Sequence, residues 1–217
     1  MKLSRIIILS VCAVMLVTVS VVGTLAFLTS RDTVVNTFTV GKVDITLDEA
    51  KVNPDGTPVQ GADRVKENNY HLIPGMTYTK DPTMTVTADS EESYVRLLVT
   101  INCLKEFDAI YSPDKADLKT IFNGYDANEW VYETETRDAA SNTITYEFRY
   151  KDTVKKSQTN TTLDPLFDSI TVPGSFTGDD MKSIEDLKIT VVGNAVQAAS
   201  FADADAAWAA FNDQIGG

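Results

Sequence analysis

The chain has 217 residues, 43% of them apolar, which suits one domain with a single core plus a targeting segment. Its 31 acidic residues outweigh 19 basic ones, giving a formal charge of −12 and an isoelectric point near 4.5. Such a surface repels phosphate backbones and anionic lipid, which excludes nucleic-acid binding; it favours solubility and at most weak extracellular Ca²⁺, with no other cofactor expected.

Lys2 and Arg5 form a charged start, and residues 6–22 (IIILSVCAVMLVTVSVV) are apolar apart from Ser and Thr. That run is longer than many signal cores and shorter than the roughly 20 residues a spanning helix prefers. Gly23-Thr24-Leu25-Ala26 breaks the helix and sets Thr24 and Ala26 at the −3 and −1 positions of a cut before Phe27. Residues 1–26 are therefore read as a signal peptide; the alternative is a retained anchor, with the membrane touched only through the uncleaved leader. Cys12 follows the bulky Val11 after too short an apolar run for lipidation. Cys103, the remaining cysteine, continues the alternation of Val95, Leu97, Val99 and Ile101 and reads as a core residue. An exported chain without internal disulfides fits a Gram-positive bacterium.

Beyond Phe27 the pattern is mostly period two. Phe38 and Val40, then Val43, Ile45 and Leu47, mark strands on either side of a bend at Gly41. Residues 48–69 form a polar loop carrying the turn signal Asn53-Pro54-Asp55-Gly56, and Pro74-Gly75 has the chemistry of a type II turn. Tyr78–Ala88 and Tyr94–Cys103 are the next strands, followed by a hairpin of Trp130–Glu135 and Thr143–Tyr150, whose Ile144, Tyr146, Phe148 and Tyr150 share a face. Ser112-Pro113-Asp114 predicts a helix start, with Gly124 as its stop. A short turn is expected over Asp179–Ile184, a final strand over Leu187–Ala198, and a helix over Ala202–Asn212 that packs Trp208 and Phe211 on the body. Several strands, few helices and turn-rich joints argue for an all-β, antiparallel two-sheet sandwich with short helical insertions.

A leader ending Gly-Thr-Leu-Ala-Phe, followed by Asn36–Leu47 (NTFTVGKVDITL), resembles the start of the TasA/camelysin family. Leu72-Ile73-Pro74-Gly75 and Lys80-Asp81 resemble that family's Pro-Gly turn and the Lys before its next strand, and Leu187–Ala198 sits where its last strand falls. The resemblance implies a jelly-roll over residues 37–217, export through a SipW-type signal peptidase, and a place in the extracellular matrix or on the cell surface. It also implies self-association into biofilm fibres, or association with a related matrix protein, by donation of a freed N-terminal strand.

That strand would be Phe27–Asn36 (FLTSRDTVVN), with main-chain hydrogen bonds giving affinity and Phe27, Val34 and Val35 filling pockets. Its tether to the membrane before cleavage would gate assembly. Docking on its own domain and disorder are the competing readings of residues 27–36.

Camelysin-type relatives carry a metallopeptidase label, which makes an enzyme one rival reading and a monomeric surface adhesin another. A zincin needs two histidines one turn apart with a glutamate base. This chain has one, His71, beside the Pro-Gly turn, where capping or filling that turn is the nearer role. It also lacks a Gly-x-Ser-x-Gly elbow, so no catalytic or metal residue is expected. Asp179-Asp180 and Asp203/Asp205 are read as compensating helix dipoles ahead of binding Ca²⁺. Asn160-Thr161-Thr162 matches a glycosylation sequon, and Trp130, Tyr146, Phe148, Tyr150 and Trp208 are read as core ahead of a carbohydrate platform.

Overall fold

Ten strands alternate with short helices along the chain in the computed structural model, which describes residues 41–215. The cleavage residues Thr24, Ala26 and Phe27, the segment 27–36 with Val34 and Val35, and the expected strand at Phe38–Val40 lie outside the described residues. The described chain is mostly β and its ladders are antiparallel, as the alternating pattern requires.

One sheet has four strands in the order β10 (Ile189–Gln197), β4 (Ser93–Asn102), β7 (Thr143–Tyr150) and β6 (Trp130–Asp138). Val95, Leu97, Val99 and Ile101 of β4 and Ile144, Tyr146 and Phe148 of β7 turn inward and are buried, so period-two patterning sets this layer directly. Cys103 is buried too, but it lies beyond the strand. It takes a left-handed conformation (φ 59°) and caps α1 (Leu104–Ile110), whose Leu104 and Phe107 join the core.

The opposing layer corrects the two-sheet expectation. It is divided into β1 (Ile45–Asp48), β3 (Thr83–Val86) and β8 (Thr161–Thr162) on one side, and β2 (Thr77–Thr79), β9 (Ser169–Thr171) and β5 (Phe122–Asn123) on the other. Tyr78–Ala88, expected as one strand, is broken at Lys80–Pro82 because Pro82 brings no N–H to a ladder. Extended past the break, the β3–β8 register (Thr85 opposite Thr162) meets the β2–β9 register (Thr79 opposite Ser169) one residue out of step. One interrupted ribbon with an extra residue on the Leu163–Asp168 side accounts for both ladders.

A second correction concerns the helix expected from Ser112 to Gly124. The α-helix there is α1, upstream. Ser112–Asp114 follows it as a turn, and a single 3-10 turn spans Leu118–Ile121 with Asp117 accepting the Lys119 N–H. Asp108 of α1 decides this by accepting the Ala116 N–H at 3.0 Å and pairing with Arg137 of β6, which pins the chain before another helix can start.

The turn expectations hold. The Met76 N–H closes on the Ile73 carbonyl across Pro74-Gly75, with Gly75 at φ 80°. Asp179–Ile184 forms most of α2 (Gly178–Ser183), with Thr177 and Asp180 exchanging capping-box bonds. The last helix, α3 (Ala204–Ile215), buries Trp208 over the guanidinium of Arg96 at 4.4 Å from ring centre, with Phe211 at 5.2 Å. Asp203 accepts the Ala206 N–H and Asp205 pairs with Arg149, so both acids serve the helix start as expected. Trp130, Tyr146, Phe148 and Trp208 are buried and Tyr150 half-buried, in agreement with the core reading.

Candidate functional site: a groove beside an open sheet edge

A sheet edge invites a new strand only if nothing blocks it, and most edges of this fold are blocked. Strand β6 is blocked three ways: a register shift between Tyr132 and Thr134, the charged residues Glu133, Glu135 and Arg137, and the Tyr125 hydroxyl, which donates to the Trp130 carbonyl and accepts the Tyr132 N–H. Strand β1 is covered by the polar loop of residues 50–69. There Val65 exchanges both backbone bonds with Glu49, and Lys66 donates to the Leu47 carbonyl at 2.7 Å. Strands β5 and β8 have two residues each, and Thr79 at the end of β2 donates to the Gly56 carbonyl.

Strand β10 has fewer of these devices: the Asn194 amide donates to the Gly193 carbonyl at 3.1 Å, and the rest of its outer backbone is free of them among the described residues. Its nine residues (ITVVGNAVQ) carry no charge and pair with β4 from Ile189 opposite Ile101 to Gln197 opposite Ser93 without a bulge. Among the described residues, no strand pairs with its other side. Thr190 and Val192 are exposed, the latter at 46%.

Beside the Lys188–Val192 half of this edge lies a groove of about 1060 Å³. Its far wall is Leu47–Glu49 with the loop Lys66–Leu72; its floor includes Lys80, Pro82 and Ile170; α2 and the chain after it supply Met181 and Ile184. The groove closes at Gly193, where the layers approach so tightly that an added Cβ would lie 2.3 Å from the Met84 methyl and 3.6 Å from Ile45. A side chain there would need the end of the flexible Met84 side chain to move.

The floor is polar at one point. Lys80 follows Tyr78 in a core-facing row that continues to Met84 and Val86, and Glu49 likewise follows Ile45 and Leu47. The two charges meet at 2.6 Å. The other carboxylate oxygen of Glu49 accepts from the Asn68 amide at 3.0 Å; that amide also donates to the Ala50 carbonyl (2.8 Å), while its own oxygen accepts the Val52 N–H (3.0 Å). Arg64 locks the surroundings by pairing with Asp48 and with Asp81 at 2.8 Å. Burial, and then the nearby Glu49 carboxylate, push the Tyr70 phenol well above its ordinary range.

His71 stands exposed on the groove rim. It holds the turn through its backbone, whose N–H donates to the Pro54 carbonyl and whose carbonyl accepts the Tyr78 hydroxyl; the imidazole fills nothing, contrary to one half of the sequence expectation. Among the described residues, no set of three His, Cys, Asp or Glu side chains is placed to hold a metal ion. Asn160 is occupied locally, accepting the Ala88 N–H. Among the described residues, no helix is long and apolar enough to cross a membrane.

Sequence reasoning missed two features of this site. The charge-free run Ile189–Gln197 was readable, but its lack of a neighbour was not. Lys80 and Glu49 were readable as charges in apolar rows, a local conflict that marks sites of interest. Comparison with known proteins finds no matching family model, curated protein or solved structure.

Proposed function

We propose that the chain is an exported structural subunit of an extracellular matrix or cell surface, which assembles when residues 27–36 of one copy enter the groove beside β10 of the next. The observation that carries this reading is the uncharged and unbulged edge of β10, which no strand pairs among the described residues. An incoming strand there would gain main-chain hydrogen bonds along the edge and side-chain pockets in the groove. The ten residues Phe27–Asn36 match the nine of β10 in length.

The two ends of the body support head-to-tail growth. Lys42, at the start of the described chain, accepts the Glu91 N–H beside the Ser93–Gln197 end of the sheet, whereas the groove lies at the Lys188 end. A segment leaving one end and entering the other builds a heterologous contact, which extends into a fibre when the rotation between copies does not close a ring. The interrupted two-layer architecture fits a jelly-roll of the TasA/camelysin type. On that likeness, a SipW-type peptidase of a Gram-positive bacterium would cut after Ala26 and release the donor.

Light scattering and electron microscopy on chains beginning at Phe27 and at Thr37 test the reading. The longer chain is expected to form fibres or high oligomers and the shorter to stay monomeric. Monomers from both, across salt and pH, would overturn it and favour a monomeric surface module.

A further inference from the structure

The polar point on the groove floor has the parts of a bond-forming site. Lys80 and Glu49 are 8% and 6% exposed, and a buried ion pair recovers its desolvation poorly, so stability alone is a weak reason to keep one. The Glu49 carboxylate holds two nitrogens at once, the Lys80 amine on one oxygen and the Asn68 amide on the other. The Asn68 carbonyl points at the Val52 N–H. Nucleophile and leaving group are therefore held on the two oxygens of one proton carrier, with an oxyanion donor on the Asn68 carbonyl.

We propose that Lys80 and Asn68 become joined by an amide bond between their side chains, with Glu49 carrying the protons. The inference is independent of how the chain assembles. Across the 2.6 Å contact, Glu49 takes a proton from the Lys80 ammonium. The amine lone pair attacks Cγ of Asn68, forming the new C–N bond and placing negative charge on Oδ1, where the Val52 N–H stabilises it. Glu49 gives its proton to Nδ2 of Asn68 and takes one from the attacking nitrogen. The old C–N bond breaks and ammonia leaves, taking up the proton left on Glu49 to depart as ammonium. Nothing is oxidised or reduced, and no co-reactant is needed.

The neighbourhood holds the partners in place for such a slow step. Ala50 donates to the Asp81 carboxylate at 2.6 Å, and Arg64 spans Asp48 and Asp81, so the loop of residues 50–69 is already clamped to the Lys80–Pro82 break. A covalent link at this point would fasten the loop that covers β1 to the interrupted strand, fixing one wall of the groove.

Mass spectrometry of the denatured full chain tests the inference without any variant. The expected mass is short by one ammonia. Trypsin is expected to pass over Lys80, giving a peptide from Glu67 to Arg96 that carries the deficit, and chymotrypsin to leave Asn68 and Lys80 joined after cutting after Tyr70 or Tyr78. Asn68→Ala and Glu49→Gln are each expected to restore the full mass and cleavage after Lys80, with cooperative melting as the check on folding. A full-mass wild-type chain cut after Lys80, even after long incubation at neutral pH, would overturn the proposal. So would an ammonia deficit found only at Asn123-Gly124, where ring closure of the Asn onto the backbone leaves Lys80 free.

Discussion

Lys80 and Glu49 face each other at 2.6 Å from strands that carry apolar residues at every other inward position. Removing one charge leaves the other buried without its counter-charge. Glu49→Gln is therefore expected to lower stability by about 3–5 kcal/mol in chemical denaturation, and the double change Glu49→Leu with Lys80→Met to recover the part due to the unpaired charge but not the part due to the Lys80–Asn68 bond. A loss for Glu49→Gln below roughly 1 kcal/mol would mean that water reaches the pair.

Gly193 packs against Met84 and Ile45 of the opposing layer. Gly193→Val forces the Met84 methyl aside and is expected to cost about 1–3 kcal/mol by overpacking, with the denaturant slope unchanged. Shortening the obstacle with Met84→Ala should make the valine cheaper than in the wild-type background. Additive effects of the two changes would show that the layers part freely at Gly193.

Val192 lies on the open edge strand and is 46% exposed, so Val192→Lys should change stability by no more than about 0.5 kcal/mol. A lysine on an edge opposes strand addition. The chain beginning at Phe27 is thus expected to lose its high oligomers on Val192→Lys while melting at the wild-type temperature. Undiminished assembly in this variant would direct attention away from β10.

Burial pushes the phenols of Tyr146 and Tyr150 up to about 12, with the Glu129 hydrogen bond adding to the effect at Tyr150. The folded values lie above the ordinary 10, so the linked stability is complete below about pH 10 and is lost as pH rises toward 12. Denaturation midpoints are expected to be flat near neutrality and to fall steeply over that alkaline window. Tyr146→Phe should make the fall shallower while costing about 1–3 kcal/mol at neutral pH, because the buried Leu118 N–H loses its acceptor. An equally steep fall in the variant would assign the alkaline transition to other groups.

The four-stranded sheet was legible because its evidence is local. Alternation along Ser93–Asn102 and Thr143–Tyr150 fixes which face is buried, and a slip of one residue would turn every core side chain outward. The same holds for the Pro74-Gly75 turn and for the Trp208 helix, whose signals sit within a few residues. The helix expected at Ser112 failed because a cap signature is weaker than a tertiary anchor: Asp108, Ala116 and Arg137 come from three segments, and their bonds settle the path. The filling role expected of His71 failed in a similar way, since the turn it stands beside is closed by backbone bonds, including its own, and by the Tyr78 hydroxyl.

By itself, then, the order of residues determined an acidic, strand-rich chain, its inward rows and its tight turns, all of which depend on side-chain type at short spacing. Three matters needed the folded chain: which strand has no neighbour on one side among the described residues, how Pro82 divides the second layer, and that Lys80 and Asn68 both bond to the buried Glu49. Edges and contacts between residues 19 to 31 positions apart depend on how distant segments pair, and alternation along one strand carries no record of that pairing.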